Sequence, residues 1–201
     1  YYLYFADHGG DYIRMAWAAE VDGPWQLFNV GSSDAGPGRG VLDMDLGGDN
    51  NSIIIGNGIR IQGHIASPEV TVDDANQRIV MYFHGPARPD GQNVGQKTFV
   101  ATSANGLNFN QPDEGGQAGH GIRPVILGNS YFRVFEYGGE LYSISNNGSI
   151  YRAPSASDPW SAPAGFDFSS ELWQVIADPF GSDHVRHVGL RVVNDTLEVF
   201  Y

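Results

Sequence analysis

The chain has 201 residues, of which 41% are apolar and 17% charged, and it carries a net charge of −12. That apolar share supports a folded core, and the sparse charge excludes a coiled coil. An acidic chain repels phosphate, which argues against nucleic acid and anionic membranes as partners; the lack of cysteine excludes disulfides, thiol catalysis and zinc–thiolate centres.

No apolar run approaches the ~20 residues of a helical membrane span, so a soluble chain is expected, with its compartment left open. The 27 glycines and 11 prolines predict many turns and few long helices. In chain order, strands are expected over 1–7 and 12–18, with a turn at Gly9-Gly10-Asp11. Asp22-Gly23-Pro24 turns the chain before a strand at 25–28. The Gly/Asp-rich stretch 31–51 reads mostly as loop. Residues 53–55 and 59–61 form a hairpin about Asn57-Gly58, and 67–72 pairs with 79–83 across 73–76. Residues 98–103 are a further strand. Residues 131–137 and 140–145 pair across Gly138-Gly139, which supplies positive φ at both turn positions. Residues 149–153 follow, and 188–193 pairs with 196–201 across Asn194-Asp195. No segment carries a sustained helical stripe of apolar residues; 170–177 comes closest. Both chain ends read as strands without flanking turns and there is no initiator Met, so a piece of a longer protein is expected and a signal peptide is unreadable.

The strands recur in a pattern. Leu3-Tyr4-Phe5 leads to Arg14-Met15-Ala16-Trp17-Ala18 and then Trp25. Met81-Tyr82-Phe83 leads to Phe99-Val100-Ala101 and then Phe109, and Leu141-Tyr142-Ser143 to Ile150-Tyr151-Arg152-Ala153 and then Trp160. A unit of roughly 50–60 residues with up to four strands and a closing aromatic predicts a β-propeller, with an irregular β-sandwich as the other all-β solution. The blades would be 1–62, 63–128 and 129–182, with a fourth beginning at 183–201. In such a fold the starts of inner strands and certain loops share one mouth. His8, His64, His84, Arg133, Arg186 and His187 would gather there.

Three segments resemble the five-bladed propellers of the glycoside hydrolase family 43 type: residues 1–25, the pair His64-Ile65-Ala66-Ser67-Pro68-Glu69-Val70 and Arg78-to-Pro86, and Thr98-to-Phe109. The resemblance implies cleavage of a glycosidic bond by carboxylates at the mouth. Glu69, in a Pro-acidic-Val context, is the expected catalytic carboxylate, and Asp7 the second candidate. Arg133, Arg186 and the histidines would hold sugar hydroxyls or the carboxylate of an acidic sugar. Tyr131-Phe132-Arg133 and Arg186-His187 stand where the family has further acids, so a non-catalytic carbohydrate-binding propeller is the alternative. No cofactor or metal is expected: Asp43 to Asp49 has the look of a calcium loop, but Ile54 stands at the twelfth position, where an EF-hand requires Glu. A Ser67-His64-Asp73 triad lacks a nucleophile elbow. The four tryptophans are expected to pack the sheets rather than to stack on sugars.

Overall fold

The computed structural model describes residues 1–28, 40–44, 51–110, 121–153, 173–174 and 187–201. These residues are all-β, with two short 3-10 turns at Asp74–Asn76 and Asn146–Gly148 and no α-helix among them. The chain divides into two compact units, Tyr1–Val125 and Ile126–Tyr201.

Unit 1 opens with β1 (Tyr2–Ala6), β2 (Tyr12–Trp17), β3 (Gln26–Phe28) and β4 (Leu42–Asp43). β1 and β3 flank β2, and β4 also pairs with β2, all antiparallel. A second sheet holds β5 (Ser52–Gly56), β6 (Ile59–Gln62), β7 (Ala66–Asp73), β8 (Arg78–Pro89) and β9 (Gln96–Ser103). The 12-residue β8 is its spine. β9 pairs along one edge of β8. On the other edge lie β7, opposite 78–84, and β6, opposite 87–89.

Both faces of β8 are buried, as its nearly unbroken apolar run requires. Met81 and Phe83 look to one side with their cross-strand partners Ala101 and Phe99, and Phe109 joins them in the core. Val80, Tyr82 and His84 look to the other side with Thr102, Val100 and Thr98. The turn after β9 is shaped by side chains: the Gly106 amide donates to Ser103 Oγ at 3.1 Å and the Leu107 amide to Asn105 Oδ1 at 2.9 Å. Tyr4 of β1 donates its hydroxyl to the Gly106 carbonyl at 2.9 Å, and its ring meets Phe109 edge to face. Burial, with a smaller contribution from Tyr2, pushes the Tyr4 hydroxyl up to about 12, so it remains a donor. Tyr4→Phe should therefore cost about 1 kcal/mol, the net worth of one such bond, read as a lower urea midpoint at unchanged m. An unchanged midpoint would mean that water replaces the hydroxyl.

Unit 2 contains β10 (Gly128–Asn129), β11 (Arg133–Tyr137), β12 (Glu140–Ile144), β13 (Ser149–Arg152), β14 (Trp173–Gln174), β15 (Gly189–Val193) and β16 (Thr196–Phe200). β11 to β14 form one antiparallel sheet in chain order, and β15–β16 is a separate hairpin beside β11. Ile144, Ile150 and Val188 are its buried centre, enclosed by Tyr142, Leu190, Leu197 and Val199.

The all-β expectation holds. The propeller does not: the strands fall into separate antiparallel sheets, none closed on itself. Within 170–177, the stretch closest to a helical pattern, Trp173–Gln174 is a strand, and the other residues lie outside the described ones. Trp17 and Trp25, expected to pack, are 40% and 39% exposed.

Candidate functional site

The candidate site of unit 1 sits where β6 passes into β7. Gly63-His64-Ile65 joins the two strands opposite Gly85 of β8. Gly85 is required there by close approach, because a β-carbon would stand 2.5 Å from the His64 carbonyl oxygen and 2.8 Å from Ile61 Cγ2. β7 then begins with a bulge: Ala66 pairs with His84 and Glu69 with Tyr82, so four residues of β7 oppose three of β8. Ser67 carries the bulge in a left-handed conformation, φ 50°. Residues three apart on a regular strand face opposite ways. The bulge puts Ala66 and Glu69 on the same face, together with Tyr82 and His84.

Three histidines come from three different places. His84 is 2% exposed in the middle of β8. His64 approaches it edge to face, with ring centroids 6.0 Å apart. His8 lies on the turn between β1 and β2. That turn closes through the Gly10 amide on the Asp7 carbonyl at 3.1 Å, and it is tied to the junction by the Ile65 amide on the Gly10 carbonyl at 2.9 Å. Burial holds His64 below the ordinary imidazole range, and the charge of nearby His8 lowers it further. His64 is therefore neutral at pH 7, with one donor and one acceptor on its ring.

Glu69, half-buried on β7, shares the face of Tyr82 and His84. Burial raises the Tyr82 hydroxyl strongly, and the negative charges of Asp73 and Glu69 add to the rise, which fits one shared face. Further along that face, Asp73 has a different task. Burial alone would raise its carboxyl, but hydrogen bonds from Asn76 and Arg78 outweigh this and hold it below its usual range. Arg78 Nε lies 2.8 Å from Asp73 Oδ2, and Asp73 also caps the turn at Asp74–Asn76. Because the folded value is the lower one, this stabilisation is present at neutral pH and is lost as pH falls below about 4. Asp73→Asn should cost under about 1 kcal/mol at pH 7, as expected of a partly exposed pair. The cost should shrink as pH falls below about 4; an equal cost at pH 7 and pH 3 would assign it to packing.

Of the expected site residues, His64 and His84 are brought together, His8 is exposed on the turn tied to their junction, and Glu69 lies on the His84 face. Asp7 is exposed on the turn before His8. His84, expected in a loop, is instead inside a strand, because β8 runs through Gly85-Pro86 to Pro89. Arg133 and His187 belong to unit 2, and Arg186 lies outside the described residues. Tyr82 and Thr98 were missed. Their signal was cross-strand pairing with Glu69 and His84, which shows only once the register is known. Among the described residues no three His, Asp or Glu side chains are grouped as a metal site.

No family model matches the chain. It is 26% identical over 203 residues to the uncharacterized protein R118 of Acanthamoeba polyphaga mimivirus, an alignment that covers 100% of this chain and 50% of that protein. The chain thus spans about half the length of the curated relative it matches. These findings, with sheets that do not close, overturn the resemblance to glycoside hydrolase family 43. Aromatic strands, Gly/Asn turns and alanine-bearing strands are what any tight antiparallel hairpin needs, so their recurrence identifies no family.

Proposed function

We propose that unit 1 is a carbohydrate-binding unit, with the sugar held by His8, His64 and the buried His84, and with Glu69 accepting from sugar hydroxyls. The observation that supports this most is the meeting of the His64 and His84 imidazoles, from the β6–β7 junction and β8, beside the β1–β2 turn that carries His8. A neutral imidazole offers one donor and one acceptor, matching a hydroxyl group, which is both. A carboxylate adds two acceptor oxygens for a pair of neighbouring hydroxyls. Binding fits better than cleavage. Glycoside hydrolysis takes two carboxyl groups, commonly about 5–10 Å apart. Asp73, the other acid on the Glu69 face, is held by Arg78 and Asn76.

The test is titration of the whole chain with a panel of neutral mono- and oligosaccharides at pH 7.5. Saturable binding is expected, weakened about tenfold or more in Glu69→Gln and in His64→Ala, the loss of one charge-assisted or buried hydrogen bond. Glu69→Gln keeps the shape, so its circular dichroism should match the wild type. No binding across the panel, or equal binding by both variants, would sink the proposal. Reducing ends released by the wild type and lost in Glu69→Gln would replace binding by hydrolysis.

A further inference from the structure

The face of β8 that carries His84 continues to a charged end. Side chains alternate along a strand, so His84, Pro86 and Arg88 look to one side of β8, and Gly85 and Ala87 to the other. Burial agrees: Ala87 and its partner Ile61 are fully buried, whereas Arg88 and its partner Arg60 are half-buried. Arg60 and Arg88 therefore stand directly opposite each other on neighbouring strands. Like charges so placed repel, yet acids outnumber bases 23 to 11 in this chain.

The two arginines are held differently. Arg60 Nη1 donates to Ser52 Oγ at 2.9 Å, which orients its head group. Arg88 Nε is buried without an acceptor, and no described residue makes a hydrogen bond or ion pair with its guanidinium. The acid nearest to it in sequence, Asp90, sets its carboxylate against Gly58 on the neighbouring turn. Taking part of a guanidinium out of water without an acceptor is costly, and a buried donor left in that state points to an acceptor from outside the chain. The Nη nitrogens beyond Nε are not sealed, so such an acceptor reaches them from solvent.

We infer that Arg88, with Arg60 beside it, is an oxyanion subsite for a sulfate or phosphate group, on the face that carries the unit 1 sugar site. A guanidinium presents its N–H groups as a planar fork that matches the paired oxygens of such groups. The four residues from His84 to Arg88 span about 13 Å at the rise of a strand. A ligand that reaches both is an anionic oligosaccharide rather than a single sugar. The oxyanion rests on the arginines alone; its attachment to a sugar rests on the carbohydrate proposal for unit 1.

The whole chain is titrated at low salt with sodium sulfate and sodium phosphate, following the arginine Nε–H signals by NMR and the heat of binding by calorimetry. The Arg88 signal is the one missing from Arg88→Gln. Sulfate or phosphate is expected to shift it saturably, and chloride at equal ionic strength to leave it in place. Arg88→Gln should weaken the heat-detected binding at least tenfold. Arg88→Lys keeps the stem and the charge but loses the fork, so it should weaken binding severalfold even if the first variant folds poorly. No saturable shift with either anion, or equal binding by the wild type and both variants, would overturn the subsite. The tightest-binding oligosaccharide of the neutral panel is then compared with its sulfated form. Sulfated sugar at least tenfold tighter than inorganic sulfate is expected; equal affinity would overturn the sugar component and leave a free anion as the ligand. Failure of the neutral panel with sulfate binding intact would sink the unit 1 proposal and not this one.

Discussion

Gly85→Ala is expected to destabilise unit 1 by about 3 kcal/mol, the upper part of the range for overpacking a well-filled interior. The upper part applies because the new methyl would meet the His64 carbonyl oxygen at 2.5 Å, and a backbone atom cannot swing aside as the end of a side chain can. The strain has two outlets. If β8 retreats, the pairings of Ile61 with Ala87 and of Ala66 with His84 are pulled apart. If the junction retreats, His64 leaves His84 and the Ile65 amide leaves Gly10. Both outlets damage the histidine cluster, so neutral-sugar binding should fall with stability. Urea unfolding of wild type and variant measures the first, and sugar titration the second. A loss of under 0.5 kcal/mol would show that the junction yields freely.

The glycine has this role because β6 and β7 are one run of chain laid along a single edge of β8, interrupted by the junction. That arrangement was hidden in the sequence. His84-Gly85-Pro86 has the composition of a turn, and it predicts the end of a strand at Phe83. Tertiary context overrides it: Pro86 and Pro89 lie near the end of β8, and Gly85 is what lets the junction come close. The bulge at Ser67 was hidden for a related reason. Nothing in Ala66-Ser67-Pro68-Glu69 marks which residue takes positive φ, and the face presented by Glu69 depends on that residue.

The tight hairpins, by contrast, were legible. Gly138-Gly139 has φ 61° and 79°, Asn57-Gly58 has 50° and 72°, and Asn194-Asp195 has 48° and 59°. In each case both turn residues are left-handed, and Gly, Asn and Asp are the residues that tolerate this. The strands on either side followed from those turns. Local chemistry therefore fixed the hairpins, but it could not reveal how they assemble, and the family resemblance failed at that step. The candidate residues fared in the same way. The histidines stood out by type and position, whereas Tyr82 is an ordinary aromatic until the register is known.

Stability should rise with pH up to about 6.5, and His64 should carry much of the rise just below that value. Its imidazole is lowered by burial and by His8, so the unfolded chain takes up this proton at a higher pH than the folded one. Between the two values the unfolded state holds more protons, and the slope of unfolding free energy against pH is positive. The contribution is complete above the unfolded value near 6.5. It is lost as pH falls through the depressed folded value. One proton limits the slope to about 1.4 kcal/mol per pH unit, and solvent around the half-buried ring reduces it further. Asp73 gives the same sign, but only below about 4, so the two windows separate. Protonation also sets like charges on His8 and His64 and removes an acceptor from the sugar site, so neutral-sugar affinity should fall in the same window. Urea midpoints at half-unit intervals from pH 4.5 to 8 measure the effect in the wild type and in His64→Gln, an uncharged side chain that still donates and accepts. The variant's profile should be flatter just below 6.5 and parallel at higher pH. A variant that keeps the full wild-type slope would move the linkage from His64 to another group.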